Sequence, residues 1–87
     1  MYIAPTLGEG HEKDFLVSGS IDDFKIIVFT SLEEFEKGFE YLKLTDYKPY
    51  EISDELFKSL AKNDKAFNGL IVDIHDENKI ILKKDLL

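Results

Sequence analysis

The feature that most constrains this fold is an apolar run that leads directly into the start of a helix. Ile26–Phe29 is an unbroken stretch of apolar residues. Because side chains alternate across a strand, such a run places apolar groups on both faces and is typical of a central strand covered on both sides. Ser31 then offers an N-cap, and Glu34 completes a capping box. The pattern predicts a buried strand that passes at once into a helix.

Two helices are predicted. After Ser31, apolar residues recur at helical spacing, which predicts a first helix with one face on a sheet; they are Leu32, Phe35, Phe39 and Leu42. Gly38 weakens this helix by roughly 1 kcal/mol relative to alanine and allows close contact with a neighbour. Ser53 is expected to cap a second helix, from Asp54 to about Lys62.

Strands are predicted at residues 2–7, 15–20, 24–29, 70–74 and 79–82, the second of which opens at Phe15 and closes toward Gly19 and Ser20. Pro5 cannot donate a ladder hydrogen bond, so the first strand is expected at an edge, or to stop pairing there. The last two strands predict a β-hairpin. Residues 8–13 are expected to form a polar loop, and the segment around Pro49 an extended or irregular connection. The expected fold is a single α+β domain over residues 1–87, with a small mixed sheet of about five strands and two main helices.

Charge and composition exclude several function classes. The net charge is −7, and all 11 basic residues are lysines. Nucleic-acid binding is disfavoured because it needs clustered positive charge and commonly uses arginine. The sequence contains no cysteine, no recognisable signal peptide and no apolar stretch long enough to cross a bilayer. A cytoplasmic protein without cofactors or membrane attachment is therefore expected.

The chemistry-bearing residues are few. Asp73 and His75 are two residues apart on a predicted strand, so both would lie on one face, and with Asp76 they form a weak candidate for a divalent metal site. The simpler interpretation is that Asp73 and His75 lie on the solvated face of the hairpin. His11 lies among acidic residues of the polar loop. No serine occupies a nucleophile-elbow motif, which disfavours a hydrolase. Since no residue stands out as catalytic, the chain is expected not to be an enzyme.

Three tyrosines form the most distinctive surface candidate. Tyr41, Tyr47 and Tyr50 fall within a short segment that also contains lysines and Pro49. Tyrosine is enriched at protein interfaces because it combines contact area with a hydroxyl group. The tyrosines are therefore predicted to bind a partner protein. The alternative is that two of them pack against the sheet and anchor an irregular connection.

Several of these segments together resemble one known family. The segments are Tyr2–Leu7, Ile27–Ser31, Leu32–Phe35, Leu56–Leu60 and Asn68–Asp73. In this order they resemble the N-terminal domain of the SseB family, bacterial proteins named for enhanced serine sensitivity. The resemblance implies a compact mixed sheet packed with helices, and it brings no catalytic residues. The chain departs from the family at Asp73–Asp76, where many members have an Asn-Pro-Gly-like turn.

These observations favour a non-enzymatic protein–protein interaction module that binds through the tyrosine segment or an exposed strand edge. One alternative is a small-molecule or metal-binding domain that uses the face of Asp73 and His75. Another is a homodimer, since an edge at the first strand could pair with a second copy.

Overall fold

The structure, a computed structural model, describes residues 1–8, 10 and 14–87. Along the chain the elements are β1 (Tyr2–Thr6), β2 (Val17–Ser20), β3 (Asp23–Val28), α1 (Leu32–Tyr41), β4 (Lys48–Ile52), α2 (Asp54–Asn63), β5 (Phe67–Val72), β6 (Ile80–Lys83) and a 3-10 turn (Lys84–Leu86). The α+β class and the two main helices are confirmed. The described chain has six strands rather than five, because the segment around Pro49 is a regular strand, β4. Part of the predicted polar loop, including His11, lies outside the described residues.

The strands form two sheets that meet at β1. The larger sheet has the order β2-β3-β5-β6, in which β3 and β5 are parallel and the other neighbours antiparallel. The smaller sheet is the antiparallel pair β1-β4. Ile3 joins the two, since its N–H donates to the carbonyl of Phe29 at 2.8 Å and its carbonyl accepts from the Phe29 N–H at 2.7 Å. The pair β1-β4 therefore extends the larger sheet beyond the end of β3.

The apolar run of β3 is covered on both faces, as its sequence predicts. Ile26 and Val28 belong to a core cluster that includes Phe57 of α2. Ile27 and Phe29 belong to a second cluster with Phe35 of α1. Alternate residues of β3 thus pack into two apolar layers, and α1 and α2 lie on opposite faces of the sheet.

Helix α1 is positioned by its cap and by Gly38. The Ser31 hydroxyl accepts a hydrogen bond from the Glu34 N–H at 3.1 Å, which confirms the predicted N-cap. Gly38 is buried, and a methyl group added there would run into the ring of Phe29. The predicted close contact is therefore confirmed: the backbone of α1 rests directly on an aromatic ring. Ser53 is the N-cap residue of α2, but its side chain accepts no capping hydrogen bond.

Of the two alternatives predicted for β1, the edge position is confirmed, since β1 belongs to a two-stranded sheet, whereas the end of pairing at Pro5 is wrong. Pairing with β4 continues through Pro5, which lies opposite Pro49. On its other side, the Pro5 carbonyl accepts from the Leu16 N–H at 3.2 Å. In an antiparallel ladder alternate residues turn their N–H groups to opposite sides, so Pro49 directs its missing donor to the outside of β4. Within the described residues no strand pairs with β4 on that outer side, so Pro49 costs no ladder bond there.

None of the described helices is both long and apolar enough to cross a membrane.

Candidate functional site

One group of polar residues meets at the carboxyl ends of β3 and β5. We call Thr30, Ser31, Glu34, Asp73 and His75 the junction. Because β3 and β5 are parallel neighbours, the residues that follow them arrive at the same edge of the sheet. Open α/β sheets commonly bind ligands at this edge, so the junction is a candidate ligand-binding site.

Asp73 links the carboxyl ends of β3 and β5 through hydrogen bonds. Its carboxylate accepts hydrogen bonds from the Thr30 N–H at 3.0 Å and from the Thr30 hydroxyl at 2.8 Å. Its own N–H donates to the Val28 carbonyl at 3.0 Å. Asp73 has a positive φ of 54°, a conformation that aspartate tolerates better than most residues. Strand β5 therefore ends at Val72, and the prediction of a strand through Ile74 is wrong.

His75 is turned inward rather than toward solvent. Its side chain is only 9% exposed, and its Nε2 lies 2.7 Å from Oε2 of Glu34. The ring centroids of His75 and Phe29 are 5.7 Å apart. The prediction that Asp73 and His75 share a solvated strand face is therefore wrong. Because a turn begins at Asp73, the side chains of Asp73 and His75 point in different directions, and His75 packs against α1.

The junction is occupied by its own contacts. Both carboxylate oxygens of Asp73 bind Thr30, and Nε2 of His75 faces Glu34. The other ring nitrogen, Nδ1, is buried, with no hydrogen-bond partner within the described part of the chain. Among residues 1–8, 10 and 14–87, no group of 3 or more histidine, cysteine or acidic side chains is placed to hold a metal ion. The hydrogen bonds of Asp73 to Thr30 and the contact of His75 with Glu34 join β3, β5 and α1.

The three tyrosines do not share one face. Tyr41 is the last residue of α1 and is 62% exposed. Tyr50 lies opposite Ala4 in the β1-β4 pair, and Ala4 packs with Phe57 of α2. Tyr41 and Tyr50 therefore lie on opposite faces of the sheet. Tyr47 is half-buried in the connection before β4.

A second candidate lies at the outer edge of β2. All 4 residues of this strand are exposed. The N–H of Ile27 donates to the Leu16 carbonyl at 3.0 Å, so the next pair along the ladder, Val17 and Ile26, is a non-hydrogen-bonded pair. By the alternation of an antiparallel ladder, Val17 and Gly19 turn their N–H and C=O groups away from β3. Within the described ranges, no strand pairs with Val17–Ser20 on that side.

An apolar cleft of about 420 Å³ adjoins this edge. It lies between β2 and α2, on the face of the sheet that carries Ile26. Its apolar lining consists of Phe15, Val17, Phe24, Ile26, Leu56 and Leu60, and its charged lining residues are Asp14 and Asp64. We call the outer edge of β2 together with this cleft the edge site. It combines backbone groups that have no partner strand among residues 1–8, 10 and 14–87 with an apolar surface, and an added strand requires both.

Sequence reasoning treated Ser18–Ser20 as a simple strand end and missed this site. One signal was present: Val17–Ser20 contains no charged residue and no proline. Natural edge strands usually carry such residues because they discourage pairing with other chains. Strand β4, by contrast, carries Lys48, Pro49 and Glu51.

The chain matches no protein-family model, and comparisons with curated proteins and with solved structures also find no match.

Proposed function

We propose that this chain is a non-enzymatic interaction domain that takes up an extended segment of a partner protein as an additional strand along β2. The observation that carries the proposal is the uncharged outer edge of β2, which no described strand pairs with and which lies beside an apolar cleft. In this mode of recognition, main-chain hydrogen bonds supply affinity and pockets for alternate side chains supply specificity.

The geometry of the edge site supports this mode in detail. Val17 and Gly19 offer outward backbone groups at alternate positions, which is the spacing that an antiparallel or parallel strand would meet. Val17 lies opposite Ile26, whose side chain is in the core on the α2 side of the sheet. Every second side chain of an added strand on that side would therefore lie over the cleft.

The tyrosine hypothesis receives less support than the strand-edge hypothesis. Because Tyr41 and Tyr50 lie on opposite faces, one partner surface could not contact both without wrapping around β4. Tyr47 and Tyr50 nevertheless remain a testable pair, since both lie near the β4 edge.

We also propose that the chain is a member of the bacterial SseB family and acts in the cytoplasm. The support is the resemblance of its segments to that family's N-terminal domain, together with the absence of cysteine, which fits a reducing compartment. A gene neighbourhood that is shared with SseB proteins would strengthen this assignment, and one typical of secreted proteins would contradict it.

Affinity capture with matched variants tests the proposed function. The bait is the full chain as wild type, as Val17→Pro and as Tyr47→Ala/Tyr50→Ala. Proline at position 17 removes an outward N–H and should leave the ladder to β3 intact. We expect proteins captured by the wild type to fall by about tenfold or more with Val17→Pro, and to persist with the double tyrosine variant. Equal recovery by wild type and Val17→Pro would contradict the strand-edge hypothesis.

The competing hypothesis is a small molecule or metal ion bound by Asp73 and His75. It has weaker support because these side chains already contact Thr30 and Glu34. Thermal unfolding with Zn²⁺, Mg²⁺ and Mn²⁺ discriminates, since a ligand that prefers the native state must raise its stability. A rise in Tm that disappears in His75→Gln would favour the metal hypothesis over the strand-edge hypothesis.

A further inference from the structure

We propose that a cavity on the α1 side of the larger sheet binds a small molecule that carries one phosphate group. The cavity has a volume of about 350 Å³, which is within the range of small-molecule sites. We call it the lysine cavity, and its lining residues are Asp23, Lys25, Asn68, Lys83, Lys84 and Asp85. It lies on the opposite face of the sheet from the cleft of the edge site, so this proposal does not depend on strand addition.

Two of the lysines reach the cavity from the strands that flank β5. Ile26 of β3 packs into the core on the α2 side, so its neighbour Lys25 points to the α1 side. Leu82 of β6 packs against the same core, so Lys83 also points to the α1 side. Gly69 of β5 lies opposite Lys83 and has no side chain to fill the space between the two lysines. Lys25 and Lys83 therefore meet at one cavity.

A β-bulge places a polar side chain at the same cavity. The parallel register of β3 and β5 shifts beside Lys25, where β5 supplies two residues, Asn68 and Gly69. Bulges are rare between parallel strands, and they are common next to active sites because they redirect a side chain. Here the Asn68 amide donates a hydrogen bond to the carboxylate of Asp23. The bulge thus gives Asp23 a partner other than the lysines.

The ammonium groups of the lysine cavity have no ion-pair partner in the described part of the chain. None of Lys25, Lys83 and Lys84 is paired there, although Asp85 lines the same cavity. Three lysines outnumber two aspartates at this cavity, in a chain whose net charge is −7. Unpaired cations that lie close together repel one another, and a bound anion relieves that repulsion.

These charges fit a single phosphate monoester better than a larger polyanion. Lysine binds phosphate as a compact point charge with three donors. Asp23 and Asp85 add negative charge at the cavity, so a second phosphate group there would be repelled. Nucleic acid would also meet the rest of an acidic surface. A small ligand avoids this, because physiological salt screens charges beyond about 8 Å.

Calorimetric titration of the full chain with glycerol phosphate tests the proposal. We expect saturable binding that weakens at high salt, and no binding of glycerol. Lys25→Gln/Lys83→Gln should weaken binding of glycerol phosphate by about tenfold or more. The matched control, Lys62→Gln/Lys65→Gln, makes the same change in net charge at exposed positions outside the cavity and should bind as the wild type does.

Two single variants extend the test. Lys83 is exposed, so Lys83→Gln covers the case in which the double variant does not fold, and it should weaken binding by about threefold or more. Asp85→Asn removes a carboxylate from the cavity and should tighten binding by about threefold. Its matched control is Glu77→Gln at an exposed position outside the cavity, which should leave the affinity unchanged.

The outcomes separate this proposal from strand addition. Equal affinity of the wild type and the Lys83→Gln variant for glycerol phosphate would overturn the proposal, as would tighter binding of a polyphosphate or an oligonucleotide. Loss of glycerol phosphate binding in folded Val17→Pro would place the ligand at the edge site and would also overturn it. A peptide that is selected from a random library on the wild-type chain, and that depends on Val17, should bind Lys83→Gln unchanged. Strand addition therefore stands or falls separately.

Discussion

The junction and the edge site differ in where their polar groups are satisfied. The junction is rich in polar side chains, yet Asp73 is bonded to Thr30 and His75 faces Glu34. The edge site is lined mainly by apolar side chains, with Asp14 and Asp64 at the cleft, and Val17 and Gly19 leave backbone groups unpaired within the described sheet. The comparison shows that residue type alone overstates the capacity of the junction to bind a ligand. Groups with internal partners hold the fold together, whereas groups without them are available to another molecule.

Substitution of Asp73 should have the largest effect on stability. Asp73→Ala removes both bonds to Thr30 and places alanine at a positive φ, so we expect unfolding free energy to fall by about 3 kcal/mol. Asp73→Asn keeps one carbonyl acceptor and tolerates the backbone conformation, so its loss should be about 1 kcal/mol. Urea denaturation measures both. Peptide binding at the edge site by the folded Asp73→Asn variant should be unchanged, and a loss there would break the comparison.

Gly38→Ala should have a smaller but clear effect. The added methyl meets the Phe29 ring, and overpacking of this kind costs about 1–3 kcal/mol. The gain in helix propensity offsets about 1 kcal/mol of that cost, so we expect a net loss of about 1–2 kcal/mol. Glu36→Ala, on the exposed face of the same helix, is the matched control and should change little. Equal or higher stability of Gly38→Ala would show that α1 does not rest on Phe29.

Glu34→Gln should have the smallest effect of the three. It replaces the carboxylate beside His75 with a neutral group that can still form a hydrogen bond, so we expect a loss of about 1 kcal/mol. Lys37 lies 3.7 Å from the same carboxylate on the exposed side. Lys37→Gln should therefore cost less than about 0.5 kcal/mol, as surface ion pairs usually do. If Lys37→Gln lowers the unfolding free energy more than Glu34→Gln does, the stabilising partner of Glu34 is Lys37 at the surface and not His75.

Local sequence signals predicted the centre of the fold well. The apolar run of β3, the Ser31 cap and the Gly38 contact all depend on residues close together in the chain and on strong periodicity. Strand β4 was less apparent because Pro49 argues against regular structure, and only its place at the outer edge makes proline acceptable.

The site was harder to predict because it depends on neighbours that are distant in sequence. Whether β1 or β2 has an open edge is decided by the pairing of Pro5 with Pro49 and of Ile3 with Phe29. The orientation of His75 depends on the positive φ of Asp73, which a strand pattern does not reveal. The tyrosine prediction was drawn from closeness in sequence, and the sheet separates Tyr41 from Tyr50.

Amide hydrogen exchange followed by NMR, with and without a peptide selected on the wild-type chain, tests the central claim most directly. The claim is that β2 accepts an added strand, so the amides of Val17 and Gly19 should exchange more slowly when the peptide is bound. Glu51, whose N–H points outward from the β4 edge by the same alternation, should be unaffected. Protection at Glu51 or in the Tyr41–Tyr47 segment, with Val17 and Gly19 unchanged, would contradict the claim and place the partner at the tyrosines.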